Sequence, residues 1–118
     1  MPKATLYHNP RCSKSRQALD YVKQQAVDLE VVEYLKAPLT KPQLAALFET
    51  LDIASAHDMI RPKEAEYKEA GLSKTASDDE VLNAIAEYPK LLERPILYIE
   101  NRAAIGRPLD NIAALFHG

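Results

Sequence analysis

The sequence has 118 residues, with 15 Lys and Arg against 17 Asp and Glu and a formal net charge of −2 at pH 7. That length suits one domain, and 47% hydrophobic with 27% charged residues is the make-up of a globular chain rather than a disordered one. The mild negative charge argues against nucleic acid as a bulk electrostatic partner, apolar runs of about five residues at most exclude a membrane-spanning helix, and the opening MPKATLYHNPRCSK lacks the apolar stretch of a secretory signal.

Residues 3–8 (KATLYH) read as a short strand, stopped by Asn9-Pro10. From Ser13 to about Ala26 the pattern is helical, with Leu19, Val22 and Ala26 on one face. Residues 29–34 (LEVVEY) read as a second strand. Thr40 and Gln43 form a capping-box pattern, and Leu44, Leu47, Phe48 and Leu51 follow as an amphipathic stripe. Pro62 is placed to begin a short helix that Gly71 stops. Ser77 and Glu80 repeat the capping box ahead of Leu82, Ile85 and Ala86, and Pro89 ends that helix. Residues 96–99 (ILYI) read as a strand, Glu100-Asn101-Arg102 as a hairpin turn, Ala103–Ile105 as the return strand and Leu109–Phe116 as a closing helix.

The order β-α-β, several helices, then β-β-α predicts an α/β fold. The strand–helix–strand opening implies a parallel crossover and the final hairpin a mixed sheet. The nearest simple architecture is a single thioredoxin-like (glutaredoxin-like) domain over 1–118, with a helical insertion at about 38–90 between its two halves.

Chemistry centres on Cys12, the one cysteine. It follows the first strand and opens the first helix, where unpaired N–H groups and the helix dipole favour an anion such as a thiolate. Arg11, Lys14 and Arg16 add positive charge, Ser13 and Ser15 bring hydroxyl donors, and His8 at the strand end is positioned to pair with the sulfur. A lone cysteine rules out an internal disulfide and a multi-thiolate zinc site, and fits a reducing cytoplasm. His8, His57 and His117 match no metal-ligand spacing, so no metal site is expected. Cys12-Ser13-Lys14-Ser15 is C-x-x-S, so no resolving cysteine exists for a dithiol cycle. Neither the C-x5-R loop of cysteine phosphatases nor a nucleotide P-loop is present.

Arg61-Pro62, Arg94-Pro95 and Arg107-Pro108 are three Arg-Pro pairs, where composition alone predicts about 0.4. A residue before proline is held extended, which fixes the direction of its stem. A permanently charged, forked donor held that way suits a tetrahedral oxyanion. Pro95, leading into ILYI, is the candidate for the cis proline that faces the active-site cysteine in thioredoxin-like folds. The acids of Ser77-Asp78-Asp79-Glu80 read only as helix-start residues.

Together, Tyr7-His8-Asn9-Pro10-Arg11-Cys12-Ser13-Lys14-Ser15-Arg16, Met59-Ile60-Arg61, Leu92-Glu93-Arg94-Pro95-Ile96 and Ile105-Gly106-Arg107-Pro108 resemble the glutaredoxin-coupled arsenate reductases of the ArsC family, in its short subgroup. The resemblance spans essentially the whole chain. It implies a thioredoxin-like fold and arsenate reduction for arsenic detoxification in the cytoplasm. Cys12 is then the nucleophile, Arg61, Arg94 and Arg107 hold the oxyanion, and His8, Ser15 and Pro95 support them. Glutathione is implied as co-substrate, glutaredoxin as protein partner, and no bound cofactor. The longer arsenic-resistance members extend further at the C-terminus, whereas this sequence ends at Gly118, so slow arsenate turnover or another oxyanion substrate stays open. Two other readings remain: a monothiol glutathione-dependent thiol transferase, which C-x-x-S permits, and an RNA polymerase-binding regulator of the Spx type, many of which use a C-x-x-C absent here.

Overall fold

Alternation in the first strand sets the architecture. β1 (Lys3–Tyr7) buries Ala4 and Leu6 on one face, because successive strand side chains point to opposite sides. The computed structural model describes residues 1–117; Gly118 and the side chain of His117 lie outside the described residues. α1 (Ser13–Lys23) follows, then β2 (Asp28–Val32), which lies parallel to β1 with Tyr7 opposite Val32 as the last pair. β3 (Ile96–Ile99) runs antiparallel to β1, and β4 (Arg102–Ile105) antiparallel to β3. The sheet order β2-β1-β3-β4 is the thioredoxin-like mixed sheet that the sequence implied.

The chain divides into two compact units, residues 1–37 with 94–118, and residues 38–93. In the first unit, Ala18 and Val22 of α1 and Ile112 of α5 (Asp110–His117) join Ala4, Leu6, Leu97 and Ile99 in one core, so both helices cover the same face of the sheet. Phe116 and Tyr21 close its end edge-to-face, 6.0 Å between ring centroids. The β3–β4 turn places Glu100 and Asn101 at φ 49° and 62°. Positive φ at both central residues matches the right-handed twist of a hairpin, and asparagine tolerates it well. The Asn101 side-chain oxygen also accepts from the Tyr98 hydroxyl at 2.9 Å.

The second unit is helical. α2 (Lys41–Leu51) and α4 (Asp78–Glu87) both start with complete capping boxes, Thr40 with Gln43 and Ser77 with Glu80. α2 buries Leu44, Leu47 and Leu51, and α4 buries Val81, Leu82, Ala84 and Ile85. Asp78 accepts from the Ser55 hydroxyl and the Ala56 N–H, both at 3.0 Å, which ties the 3₁₀ turn Ala56–Met59 to the start of α4. An antiparallel bridge pairs Ile60 with Leu92, with Arg61 N–H on Leu91 O and Glu93 N–H on Met59 O, each 2.8 Å. No helix among the described residues is long and apolar enough to cross a membrane.

Three local expectations shift. α1 ends at Lys23, short of Ala26, because Gln24 and Gln25 donate to Tyr21 and Val22 in a tightened last turn and the chain then enters β2. β2 ends at Val32, not Tyr34. Its only strand neighbour, β1, ends at Tyr7, and Glu33 O accepts from Lys36 and Ala37 in a new turn. Pro62 does not start a helix. It sits second in a turn closed by Glu64 N–H on Arg61 O (3.2 Å), and α3 (Ala65–Glu69) begins beyond it. Gly71 stops α3 as expected, at φ +73°.

Gly106, after β4, is where the first unit has no room for a side chain. A Cβ there would lie 2.7 Å from Ile112 Cδ1 and 2.8 Å from Pro95 Cγ. Gly106→Ala is therefore expected to lower stability by about 1–3 kcal/mol, as overpacking of a close contact does; urea unfolding against the wild type measures it.

Candidate active site

The loop before α1 is built by its own polar groups. Asn9 Oδ1 accepts the Arg11 N–H at 3.0 Å and Asn9 O accepts the Cys12 N–H at 3.0 Å, so the asparagine turns the chain over itself. Arg16 Nη1 donates to Pro10 O at 2.9 Å and holds the loop from the helix side. Cys12 is the N-cap of α1, extended at φ −93°, ψ 123°, with its carbonyl accepting from Arg16 N–H. Its sulfur makes no capping bond, and no acidic side chain stands in the first turn. A half-buried sulfur thus stands at the positive end of a helix with Arg11 and Lys14 exposed beside it in sequence.

His8 and Ser15 sit behind this loop. His8 is 5% exposed and Ser15 fully buried. His8 Nδ1 lies 2.7 Å from Ser15 Oγ, and that oxygen also accepts the Asn9 N–H at 3.0 Å. The expected pairing of His8 with the thiolate is therefore replaced by a bond to Ser15. Burial, the largest influence, pulls the His8 pKa below its ordinary value; Glu33 opposes this, and Arg16 and Lys23 add to it by less. An unprotonated Nδ1 takes the Ser15 hydroxyl proton, whereas a protonated ring would donate to the same oxygen and turn that proton away.

Arg107 meets the sulfur. Its Nη2 donates to Cys12 Sγ at 3.4 Å, and its Nε donates to Arg94 O at 2.7 Å. The guanidinium is thereby anchored at one edge while presenting charge to the sulfur at another. Gly106 N–H donates to Pro95 O at 2.8 Å, so the loop carrying Arg107 is laced to the start of β3. The Arg94–Pro95 peptide is cis, the geometry expected of Pro95; Arg107–Pro108 is also cis. Arg94 contributes its carbonyl to this arrangement, and its Nε is buried.

Arg61 belongs to the 38–93 unit, where Nη1 pairs with Glu64 at 2.7 Å and Nε lies 3.7 Å from Glu93. Of the residues singled out from sequence, Cys12, Arg107, Arg94, Pro95, His8 and Ser15 are thus linked by contacts or by chain adjacency in the first unit, and Arg61 is bracketed by carboxylates in the second. Asn9 and Gly106 were read only as a strand stop and as part of a motif. An asparagine ahead of proline at a strand end is a signal for a side chain that caps its own turn. Among the described residues no group of three or more His, Cys, Asp or Glu is arranged to hold a metal ion.

The model of the ArsC family matches residues 7–115. The chain is 47% identical to an arsenate reductase of Neisseria meningitidis serogroup A, over 98% of this chain and 99% of that one. It is 42% identical to the uncharacterized protein YfgD of Escherichia coli, over 91% of both. A solved structure titled as an arsenate reductase from Vibrio cholerae superposes with a TM-score of 0.89 at 37% identity, covering 96% of this chain and 97% of that one.

The His8 environment fixes the sign of a pH effect. With its folded pKa lowered from 6.5, the unfolded chain takes up the proton first. Stability is therefore expected to fall as pH drops below about 6.5 and to level off below the folded value. Urea midpoints taken between about pH 7 and pH 5 should decline in the wild type and decline less in His8→Gln.

Proposed function

The chain belongs to the ArsC family, and on that footing we propose that it is an arsenate reductase with Cys12 as nucleophile and glutathione and glutaredoxin as external reductants. The observation that carries the proposal is the Arg107 guanidinium donating to Cys12 Sγ at the N-terminus of α1. That site favours negative charge twice, on the attacking sulfur and on the oxyanion it attacks. The single cysteine supports external reductants, because one thiol cannot deliver two electrons and return to its starting state alone.

In this mechanism the Cys12 sulfur forms a bond to arsenic(V), and an arsenate oxygen leaves as water. A glutathione thiol replaces a second oxygen, again releasing water. A glutaredoxin thiol then attacks the glutathione sulfur. The new disulfide is the oxidised product, and the sulfur–arsenic electron pair reduces arsenic to the trivalent state. Hydrolysis of the remaining Cys12–arsenic bond releases arsenite and restores the thiol. Arg107 and Arg94 hold the charged oxygens through these steps. Arsenate and phosphate share shape and charge, so the arginines do not separate them; the thiol chemistry of arsenic does.

The test is NADPH consumption with arsenate, glutathione, glutaredoxin and glutathione reductase. Cys12→Ser is expected to abolish arsenate-dependent turnover. Arg94→Ala and Arg107→Ala are each expected to lower kcat by about a hundredfold to a thousandfold, the range for removing a donor to developing negative charge. Turnover of a glutathione mixed disulfide without arsenate, with none on arsenate itself, would replace this reading with a thiol transferase.

A further inference from the structure

We propose that Asn111 is a positioning residue for Arg107. This rests on the reading that Arg107 supplies positive charge to the Cys12 sulfur. Asn111 is the second residue of α5, and its side-chain Nδ2 donates to Ile105 O at 3.2 Å and, more weakly, to Arg107 O at 3.5 Å. One amide group thus reaches the carbonyls on both sides of Gly106, using the two hydrogens that only an NH₂ offers at this length.

The loop is gripped from its other side as well, through Gly106 N–H on Pro95 O (2.8 Å) and Arg107 Nε on Arg94 O (2.7 Å). Those bonds hold the loop to the start of β3, while the Asn111 bonds hold it to α5. Arg107 is exposed and carries a long, flexible stem, so its 3.4 Å contact with the sulfur depends on a fixed backbone at its base. Asn111 is itself exposed, so its replacement removes little packing.

Cys12 is the only cysteine, so alkylation of the full chain by iodoacetamide reports on that sulfur alone. The comparison uses wild type, Asn111→Ala, Asn111→Asp and Arg107→Ala near neutral pH. Aspartate is isosteric and favoured in a first helical turn, but it cannot donate to the two carbonyls. The expected result is a fall of about threefold or more in the alkylation rate of both Asn111 variants. In an Arg107→Ala background Asn111→Ala should lower the rate no further, a coupling that a merely structural role would not give. An unchanged rate in Asn111→Ala overturns the proposal. So does a fall confined to Asn111→Asp that added salt removes, since that is a charge effect. If Arg107→Ala leaves the rate unchanged, the reading of Arg107 fails and this inference fails with it; if Arg107→Ala slows alkylation and Asn111→Ala does not, only this inference fails.

Discussion

The contact between Arg107 and Cys12 organises the first unit. Cys12 and Arg107 are 95 positions apart, and their meeting requires β1, β3 and β4 to lie side by side in register. β1 ends at Tyr7 and delivers the loop that caps α1, while β4 ends at Ile105 and delivers the loop that carries Arg107. Both loops leave the sheet at the same end of the strands because Tyr7 pairs with Ile96, and Ile96 pairs with Ile105. A slip of one residue in either pairing would turn Leu6 or Leu97 away from the core, so burial of those side chains is also what places the arginine at the sulfur. The precision of the site is thus inherited from a hydrophobic pattern some distance from it.

Close packing supplies the rest of the constraint. Ile112 of α5 is fully buried, and Gly106 passes over it with no space for a Cβ. The backbone therefore approaches Pro95 closely enough for the Gly106 N–H to reach its carbonyl. That hydrogen bond and the one from Arg107 Nε satisfy two successive carbonyls, Arg94 and Pro95, at the entry to β3. Proline provides no N–H of its own, so Pro95 is held here through its carbonyl. On the opposite side of the cysteine loop, Ser15 Oγ takes the Asn9 N–H and His8 Nδ1 into one buried cluster. Charge faces the sulfur from the exposed side, and neutral, hydrogen-bonded groups fill the buried side. This division is the one low polarity favours, because an unpaired charge in place of neutral His8 would be costly there.

Much of this was legible in the sequence. The strands at 96–99 and the two capping boxes follow from local rules: branched and aromatic residues between turn signals, and Thr or Ser three residues ahead of Gln or Glu. Cys12 as the head of a helix was legible because Asn9-Pro10 forces a break directly before it. The errors fall where tertiary partners decide. The apolar pattern continues past Val32, yet the strand stops because β1 offers no further partner. Pro62 is a good first helical residue in isolation, yet the chain is already committed to a turn by the Ile60–Leu92 bridge that precedes it. His8 was read as a partner for the sulfur because sequence shows proximity along the chain and not direction. The strand's alternation buries His8, and Ser15 is the hydroxyl one helical turn inside that meets it.

Three Arg-Pro pairs look equivalent in sequence, but the fold gives them different surroundings. Arg107 is exposed and donates to a sulfur and a carbonyl. Arg94 contributes its backbone carbonyl. Arg61 is about one quarter exposed and lies between the carboxylates of Glu64 and Glu93. Guanidinium remains charged under all ordinary conditions, so those carboxylates do not discharge it; they offset its field and fix its orientation. An anion that uses Arg61 must therefore compete with Glu64 for Nη1 or bind along the remaining edge. The same dipeptide thus encodes an arginine that donates to the sulfur at position 107 and one held between two carboxylates at position 61. The difference comes from Glu64, three residues away in a tight turn, and Glu93, brought close by a two-strand bridge. The turn partner is visible in sequence once the turn is known, whereas the bridge partner is a product of folding alone.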